Sequence, residues 1–556
     1  MNLPQNDLQT RLAALKREGE ERAAQRLAQK LGLGYVDLSR TPVSADALRI
    51  LPEGAAKDAA IAVIELRGRK IAVAAVNPEF PATKKAVQDL AAKEYEVKLF
   101  VASRAGIEAT WKLYKFVKNA GEEITGRVNI EQKRVEDASR RLTTLAAIQE
   151  EFGRIDYVKL EPIPILELAL AGAFSVRASD IHFEAGEKNA KVRLRVDGLL
   201  HDAFNGLPLR NYEAVVSRVK LLSGLKLNIR EASQDGRFTI NFGKKEIEMR
   251  VSVIPSRFGE NIVMRILDPD ATLISLSSLG FRDDDLAIVE RQIAKPNGLI
   301  LNTGPTGSGK TTTLYAFLRH LNDPEIKIIT LEDPIEYRLE GVEQTQVDAE
   351  AGYTFANGLR AIVRQDPDIV LVGEIRDLET ADIALQASLT GHLVLSTLHT
   401  NDAAGAVPRL VNLGVKTQSI GPATNLVIAQ RLVRILCPKC KKKATSGVSE
   451  ENRKKFFDKL PARVDRSKYQ HIEIYEAVGC AECSGFGYKG RIAVFEFLEG
   501  GPTFEEAVLK GISEAAFREL AKSQGMVTMQ EDGILKTFAG VTTIEEVEAV
   551  TGKIEW

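Results

Sequence analysis

The stretch Gly304-Pro-Thr-Gly-Ser-Gly-Lys-Thr311 decides the fold of this 556-residue chain, because it fits the pattern G-x-x-x-x-G-K-[S/T] without a gap. The apolar run Leu299–Asn302 precedes it, and helical spacing follows it at Leu314, Phe317 and Leu321. A strand, a glycine-rich turn and a helix in this order are the context of a phosphate-binding loop. We therefore predict that ATP is held by Gly304, Pro305, Thr306, Gly307, Ser308, Gly309, Lys310, Thr311 and Thr312.

Each residue type in this loop has its own physical reason. Glycines let backbone N–H groups turn towards phosphate oxygens without a Cβ clash, and the helix N-terminus adds about half a positive charge. We expect Lys310 to bridge the β- and γ-phosphates and Thr311 to offer its hydroxyl to Mg²⁺. The alternative, a glycine-rich turn without a ligand, is disfavoured by a match at every position in this context.

Short apolar runs alternate with helical segments through residues 286–436. The runs Leu299–Asn302, Ile326–Leu331, Ile369–Val372 and Leu393–Ser396 predict strands, and segments such as Thr311–Leu321 predict helices. This alternation indicates a mainly parallel sheet with helices on both faces. We therefore expect an α/β core around the phosphate-binding loop.

Two acidic clusters follow predicted core strands, at Glu332 before Asp333-Pro334 and at Glu374 after Ile369–Val372. Parallel sheets place ligands at the carboxyl ends of their strands, and ATP hydrolysis needs carboxylates that act on Mg²⁺ and water. Both glutamates are therefore candidate catalytic residues, with solvated loop ends as the alternative. His392 and His399 flank a further strand and are candidates to contact the γ-phosphate, with a structural role as the alternative.

The four cysteines form two C-x-x-C pairs, Cys437 with Cys440 and Cys480 with Cys483. Four thiolates suit one tetrahedral, structural Zn²⁺ that joins distant segments of a chain. Redox pairs or free thiols are the alternatives, but neither pair lies in the βαβ pattern that a thioredoxin-like motif requires. We therefore predict a structural zinc site.

Composition excludes several classes of protein. Lys and Arg number 75 against 76 Asp and Glu, so no overall charge directs the chain to nucleic acid or an anionic membrane. The longest apolar candidate, Ile163–Phe174, is interrupted by Glu167 and is shorter than the ~18–20 residues of a membrane span. The N-terminus lacks the apolar segment of a secretory signal. We expect a cytoplasmic protein that reaches a membrane through partners.

Changes in pattern along the chain predict six regions. They are a small α/β domain over 1–115, a charged helical linker over 116–150, an α+β domain over 151–285, the phosphate-binding core over 286–436, a tetracysteine element over 437–500 and a helical tail over 501–556. In the first we expect a hairpin at Ile61–Leu66 and Lys70–Val76. In the third we expect a buried helix at Ile163–Ala173 and strands at Ile181–Glu184, Lys191–Val196, Arg237–Asn241, Ile247–Val253 and Ile262–Leu267.

Further short motifs accompany the loop through roughly residues 150–556. They are Ala178–His182, Gln234–Arg237, Leu331–Glu336, Arg364–Pro367, Gly373–Asp377, Thr390–Asp402, Gln430–Arg434 and the two cysteine pairs. In this order the set resembles the type II secretion and type IV pilus assembly ATPases. The resemblance implies a RecA-like core, a PAS-like α+β domain before it, and an N-terminal domain that docks a partner.

The resemblance also implies a homo-hexamer whose nucleotide sites lie between each core and its preceding domain. Glu332 would position or activate the attacking water, and Glu374 would act as the Walker B carboxylate through Mg²⁺ and water. With Lys310, His392 and His399 they form the expected catalytic set. Arginines of the α+β domain would stabilise charge on the transferred phosphoryl group, with surface ion pairs as the alternative, and the candidates are Arg195, Arg218, Arg237, Arg250 and Arg265.

In the resembled family, such cysteine pairs are typical of motors that extend a filament. We therefore expect a motor that uses ATP to assemble a pilus or a secretion pseudopilus, acting through an inner-membrane platform protein and a cytoplasmic docking partner. In some relatives the N-terminal module, here around Leu31–Leu38, binds cyclic di-GMP. Because Ala13 follows Arg11-Leu12 and no paired repeat is present, we expect no cyclic di-GMP binding here.

Three alternatives remain. A nucleic-acid translocase on the same core is disfavoured by the near-zero net charge and the lack of a long basic stripe. A retraction motor is disfavoured by the cysteine pairs and the N-terminal region. A non-catalytic scaffold is disfavoured by the intact Lys310, Glu332 and Glu374. Pilus assembly and type II secretion share every motif named above, so both functions are kept.

Overall fold

A computed structural model describes residues 5–114, 127–128, 132–158, 162–242, 245–272, 274–445, 447–469, 472–510, 513–554 and 556. The chain forms two compact units, the first ending at Leu267 and the second beginning at Asp268. Part of the predicted linker over 116–150 lies outside the described residues. No helix in the described ranges combines the length and the apolar character that a membrane crossing requires.

The first unit begins with a four-stranded sheet in the order β1-β4-β3-β2. Its elements are α1 (Gln5–Leu31), β1 (Gly34–Tyr35), α2 (Ala45–Arg49), α3 (Glu53–Asp58), β2 (Ile61–Arg67), β3 (Lys70–Ala75), α4 (Pro81–Ala92), β4 (Glu96–Val101) and α5 (Arg104–Trp111). Strands β2 and β3 form the predicted antiparallel hairpin. Ser44 and Ser103 cap α2 and α5 by accepting backbone N–H groups of their first turns.

A seven-stranded sheet in the order β5-β9-β10-β11-β6-β7-β8 follows in the same unit. Its elements are β5 (Arg127–Val128), α6 (Gln132–Arg141), α7 (Leu145–Gly153), α8 (Pro162–Ser175), β6 (Ala178–Glu184), β7 (Asn189–Val196), β8 (Leu199–Pro208), α9 (Leu209–Leu222), β9 (Gln234–Phe242), β10 (Lys245–Ser256) and β11 (Gly259–Leu267). From β9 to β8 every neighbouring pair is antiparallel. The predicted buried helix and five predicted strands are therefore present, and β8 is a strand that the sequence did not predict.

The second unit contains a seven-stranded sheet in the order β14-β13-β15-β16-β12-β17-β20. The elements that build its core are α10 (Asp283–Ile293), β12 (Gly298–Thr303), α11 (Lys310–Leu321), β13 (Ile328–Glu332), β14 (Glu343–Gln346), α12 (Phe355–Val363), β15 (Ile369–Val372), α13 (Leu378–Leu389), β16 (Leu393–Leu398), α14 (Ala406–Asn412), α15 (Thr417–Ala423) and β17 (Thr424–Leu436). Neighbouring strands from β14 to β17 are parallel.

Both faces of this core sheet are covered by apolar side chains. Along β12, Leu299 and Leu301 belong to one buried cluster, whereas Ile300 between them belongs to another. This alternation follows from the two-residue period of a strand. The prediction of a mainly parallel sheet with helices on both faces is therefore confirmed.

The rest of the second unit completes this sheet and packs against it. Its elements are β18 (Lys442–Lys443), α16 (Glu450–Lys459), β19 (Tyr475–Glu476), β20 (Tyr488–Glu499), α17 (Pro502–Leu509), α18 (Glu514–Ser523), α19 (Met529–Phe538) and α20 (Ile544–Thr551), with short 3₁₀ turns at Pro269–Thr272, Leu276–Ser278, Arg466–Tyr469 and Ala481–Cys483. Strand β20 pairs antiparallel with β17. Phe504 and Phe517 of the C-terminal helices are buried in the same cluster as core strand residues. The division into six regions stays a prediction.

Candidate nucleotide site and cysteine cluster

The phosphate-binding loop connects β12 to α11 at the carboxyl end of the core sheet. Gly304, Gly307 and Gly309 have φ values of 149°, 79° and 89°, a region that side chains with a Cβ rarely adopt. A Cβ on Gly304 would lie 2.5 Å from the carbonyl oxygen of Gln430. Pro305, Thr306 and Gly307 are exposed, whereas Thr311 and Thr312 are half-buried in the first turn of α11. The loop is therefore open to a ligand on one side and closely packed on the other.

Gln430 on β17 supports the packed side of the loop. Its side-chain oxygen accepts hydrogen bonds from Asn302 Nδ2 at 2.9 Å and from Thr313 Oγ1 at 2.8 Å. A Cβ on Gly309 would lie 2.8 Å from Gln430 Nε2. The sequence placed Gln430 in a matching motif without giving it a role, because its contacts depend on the pairing of β17 with β12.

Lys310 lies folded under the loop and is only 9% exposed. Its Nζ donates to the carbonyl oxygens of Gly304 at 2.7 Å and Pro305 at 3.1 Å. Burial lowers the pKa of Lys310, and the charge of Glu374 acts against this shift. In the described part of the chain, the buried hydroxyl of Ser308 has no hydrogen-bond partner. A phosphate group would supply both a counter-charge for Lys310 and an acceptor for Ser308, so the loop fits such an anion.

Glu332 ends strand β13 and is 3% exposed. Its carboxylate accepts hydrogen bonds from Thr330 Oγ1 at 2.7 Å, from Gln344 Nε2 at 3.2 Å and from the hydroxyl of Tyr315. Burial raises the pKa of Glu332, although these three donors act in the opposite direction. A buried carboxylate with a raised pKa and fixed geometry is suited to orient a water molecule and accept its proton.

Glu374 follows β15 and contacts two basic side chains. It forms an ion pair with Arg376, and its Oε2 lies 3.3 Å from His399 Nε2. Burial alone would raise the pKa of Glu374, but hydrogen bonds and charge from Arg376 and His399 outweigh it, so the pKa is lowered. Glu374 therefore stays ionised, as a carboxylate that acts through a metal ion requires.

The two predicted histidines lie at opposite ends of β16. His399 follows the carboxyl end of the strand and contacts Glu374. His392 precedes the amino end, where its Nδ1 lies 3.0 Å from the carbonyl oxygen of Ala387. A six-residue strand spans about 20 Å. The structure thus brings His399, but not His392, to the edge of the sheet that carries the loop of the same chain.

Four of the five candidate arginines form one row across the sheet of the first unit. Arg237 is opposite Arg250, Arg250 is opposite Arg265, Arg265 is opposite Asp180, and Asp180 is opposite Arg195. Residues directly opposite each other in antiparallel strands lie on the same face, and like charges in such positions repel. Glu248 pairs with Arg250 at 3.6 Å and Asp180 lies within the row, so four cations face two carboxylates and the row keeps a net positive charge that attracts anions.

Asp180 is buried and forms ion pairs with two arginines of this row. Its two carboxylate oxygens lie 3.0 Å from Arg265 Nε and 3.5 Å from Arg195 Nε. The fifth candidate, Arg218, lies on α9 instead, where burial lowers its pKa and the charge of Glu167 opposes that shift. Arg218 could not be separated from the other candidates by sequence alone, because the row exists only through strand register.

The four cysteines lie together at the end of β17 and before β20, with all four sulfur atoms within 4.8 Å of one another. The distance from Cys437 Sγ to Cys480 Sγ is 3.9 Å, and Cys483 Sγ lies 3.8 Å from both Cys440 Sγ and Cys480 Sγ. Sulfur atoms about 2.3 Å from a tetrahedral Zn²⁺ would be about 3.8 Å apart. The thiol set therefore fits one zinc ion.

Backbone N–H groups surround these sulfurs. Gly479 N donates to Cys440 Sγ at 3.3 Å, and Cys480 N and Gly487 N each donate to Cys483 Sγ at 3.2 Å. Burial acts to raise the pKa of Cys483, but hydrogen bonds from the N–H groups of Cys480 and Gly487 and from the thiols of Cys440 and Cys480 outweigh it and lower the pKa to about 7. Such donors stabilise the thiolate form, which is the form that binds a metal.

Comparison with known proteins identifies the family of this chain. Residues 159–549, more than two thirds of the chain, match the family described as Type II/IV secretion system protein. The chain belongs to this family. Type II/IV secretion system proteins include ATPases of secretion and pilus machines, so this member is an ATPase of that class and the predicted resemblance is confirmed. Membership implies that this protein uses ATP and Mg²⁺.

Two relatives within the family illustrate the range of its members. The Type IV pilus assembly ATPase PilB of Myxococcus xanthus is 37% identical over 524 residues, which are 94% of this chain and 89% of that protein. The Type II secretion system protein E of Pseudomonas aeruginosa is 45% identical over 390 residues, which are 70% of this chain and 75% of that protein. The two relatives serve different machines.

Two further comparisons concern the fold of this family member. The X-ray structure of the Legionella pneumophila ATPase DotB has a TM-score of 0.51 and 22% identity, and covers 71% of this chain and 97% of that chain. That likeness supports the ATPase fold. Residues 31–115 match the MshEN domain, and they lie within the N-terminal domain predicted over 1–115.

Proposed function

We propose that this chain is an extension motor that hydrolyses ATP to assemble a type IV pilus or a type II secretion pseudopilus. The observation that carries the proposal is the buried Lys310, whose ammonium group has only neutral carbonyl partners at 2.7 and 3.1 Å among the described residues. A buried cation without a carboxylate in hydrogen-bond contact is costly unless an anion binds beside it. A nucleotide phosphate is the anion that the surrounding loop fits.

The hydrolytic roles follow from the placement of the acidic residues. Lys310 would bind the β- and γ-phosphates, and Thr311 and Glu374 would hold Mg²⁺ directly or through water. When bound, Mg²⁺ would neutralise charge on the phosphates and so favour departure of ADP. Glu332 orients the attacking water and takes its proton. His399 fixes Glu374 by its contact at 3.3 Å.

We assign the arginine row (Arg195, Arg237, Arg250 and Arg265) to stabilisation of charge on the transferred phosphoryl group. Mutual repulsion between neighbouring guanidinium groups is relieved when an anion binds, so the row favours binding of a phosphate group. Arg218 is a weaker candidate because it lies on α9. We further propose that the protein forms a homo-hexamer and that the domain carrying the arginine row is PAS-like.

The remaining parts of the proposal concern partners and location. The motor acts in the cytoplasm at the inner membrane, where a platform protein receives the motion and the MshEN-type module docks a cytoplasmic partner without cyclic di-GMP. Zn²⁺ in the cysteine cluster is structural. His392 stays a predicted catalytic residue, although it lies at the amino end of β16, away from the loop of its own chain.

The test compares Lys310→Ala with Lys327→Ala in the purified full-length protein. Lys327 lies on the same core with its Nζ donating to the Gln365 carbonyl oxygen at the surface, so its loss should leave ATP turnover unchanged. We expect Lys310→Ala to lower phosphate release by about 100-fold or more and to abolish filament or pseudopilus assembly in cells. Normal assembly with Lys310→Ala would identify a scaffold, excess surface filaments on deletion would identify a retraction motor, and DNA-stimulated turnover would identify a translocase.

A further inference from the structure

The carboxylate of Glu332 is held asymmetrically by its three donors. Oε1 accepts from Thr330 Oγ1 at 2.7 Å and from Gln344 Nε2 at 3.2 Å, whereas among the described residues Oε2 accepts from Tyr315 alone. Each carboxylate oxygen has two lone pairs. Oε1 is therefore fully used, and Oε2 keeps one acceptor site. A water molecule that Glu332 orients must accordingly donate to Oε2, the oxygen that Tyr315 holds.

Tyr315 connects this oxygen to the phosphate-binding loop. It lies on α11, whose first residue is Lys310, so the residues that meet the phosphates and the hydroxyl that meets Glu332 belong to one rigid helix. The Tyr315 side chain is buried, with the whole residue 2% exposed. A displacement of α11 relative to β13 would therefore change the contact between Tyr315 and Glu332 directly.

The other donors are themselves fixed, which leaves the carboxylate little freedom. Gln344 accepts from Leu339 N at 2.8 Å and donates to the Tyr337 carbonyl oxygen at 2.9 Å, so the turn after Glu332 holds its amide in place. Thr330 lies two residues before Glu332 on the same strand. With Oε1 held from this side, the orientation of Oε2 is determined by its bond to Tyr315.

We propose that Tyr315 is a positioning residue for ATP hydrolysis: its hydroxyl fixes the rotamer of Glu332 and turns the remaining lone pair of Oε2 towards the attacking water. The inference rests on the proposed role of Glu332. Neither the phosphate-binding motif nor the acidic motif predicts it, because Tyr315 and Glu332 lie 17 positions apart and meet only through the packing of α11 on β13.

The experiment measures ATP turnover by Tyr315→Phe, which removes the hydroxyl and keeps the ring. We expect kcat to fall between about 10-fold and 100-fold, as for a catalytic group displaced by a fraction of an ångström to 1 Å, with the KM for ATP within twofold of the unaltered protein. Tyr353→Phe is the matched control, because its hydroxyl donates to Thr345 at 3.3 Å in the same region without touching Glu332.

The pH profile separates positioning from a structural effect. Loss of a donor to the charged carboxylate raises the pKa of Glu332, so the acidic limb of kcat should move to higher pH in Tyr315→Phe and not in Tyr353→Phe. Glu336, the other carboxylate whose charge acts on Glu332, is unchanged in both variants. If Tyr315→Phe does not fold, Gln344→Ala on the edge strand is measured instead, because it removes a donor to Glu332 Oε1 and a contact at 3.5 Å to the Tyr315 hydroxyl. We expect a lower kcat and an acidic limb at higher pH, and an unchanged kcat and pH profile would overturn the inference.

Glu332→Gln is measured in parallel, so that the role of Tyr315 and the role of Glu332 are tested separately. If Glu332→Gln is inactive while the variant of Tyr315 keeps normal kcat and pH profile, the inference is wrong and the proposed role of Glu332 stands. A rise in turnover for Tyr315→Phe would also overturn the inference, because it would mean that the hydroxyl sequesters Glu332. If Glu332→Gln keeps full turnover, the proposed role itself is wrong and the inference falls with it.

Discussion

Replacement of Arg282 by methionine tests how the C-terminal helices are held to the core. The Arg282 side chain is 8% exposed and makes ion pairs with Asp284 at 3.1 Å, Asp285 at 2.7 Å and Asp532 of α19 at 2.8 Å. The side chain of Asp532 is fully buried. Removing the guanidinium group leaves buried carboxylates with less compensation, which is far more costly than losing a surface pair.

The magnitude follows from the cations that remain. Breaking a buried ion pair costs about 3–5 kcal/mol, and we expect the lower end because Lys536 still contacts Asp532 and Arg463 lies 3.4 Å from Asp285. The second unit, from Asp268 to Trp556, has an unfolding entropy of roughly 0.6 kcal/mol/K at ~2.1 cal/mol/K per residue. A loss of about 3 kcal/mol therefore lowers its Tm by about 5 °C.

Differential scanning calorimetry of the full chain measures this shift. Arg360→Met is the control, because Arg360 forms an exposed pair with Glu379 and should change Tm by less than about 1 °C. Burial raises the pKa of Asp285 to about 7 although Arg282 opposes the shift. Without Arg282 the native carboxylates bind protons more tightly, so the loss of stability should be larger at pH 8 than at pH 6. Equal Tm values for both variants would refute the reasoning.

Three further predictions concern the metal, a buried acid and the loop. Cys483→Ser should purify without the one zinc per chain that elemental analysis should find in the unaltered protein, and with a lower Tm. Burial raises the pKa of Glu496 to about 7, above its unfolded value, so the native state loses stability as pH rises from about 4.5 to 7. Glu496→Gln cannot titrate, but it loses one of the two oxygens that accept from Ala403 N and Met529 N. It should therefore be less stable than the unaltered protein near pH 4 and regain roughly 3 kcal/mol relative to it by pH 8, as measured by calorimetry at both pH values. Gly309→Ala should weaken ATP binding at least tenfold in a calorimetric titration, because the φ of Gly309 is 89° and the side chain of Gln430 occupies the space of an added Cβ. An added Cβ on Gly307 meets open space, so Gly307→Ala should weaken ATP binding less.

The local pattern of apolar residues predicted the central strands of both seven-stranded sheets. The strand at Ile369–Val372 has the predicted bounds, and the other three predicted core strands are present with shifts of one or two residues at their ends. Their apolar runs are short, continuous and bounded by glycine, proline or charge, which is the pattern of a strand buried on both faces. Strands β17 and β20 were not predicted, because Gln430, Arg431 and Arg434 interrupt the apolar pattern of β17 and its partner strand begins beyond the cysteine pairs.

The candidate site could be predicted where its residues are close together in the sequence. The loop, Glu332, Glu374 and the cysteine pairs are each recognisable within a few residues. The contacts that tune them are not, because the bonds of Tyr315 to Glu332 and of Gln430 to Asn302 join different elements. The arginine row is a further example, since its order across five strands depends on strand register, which single residues do not encode.

Strand β17 joins two parts of the molecule that the motifs describe separately. Gln430 lies against the phosphate-binding loop, and Cys437 comes seven residues later, about 23 Å along an extended backbone. Strand β20 pairs with β17 over most of that distance, and the ladder of hydrogen bonds between them limits bending. A change of strand direction beside the phosphate-binding loop would therefore also displace the cysteine cluster, because the paired strands connect the two.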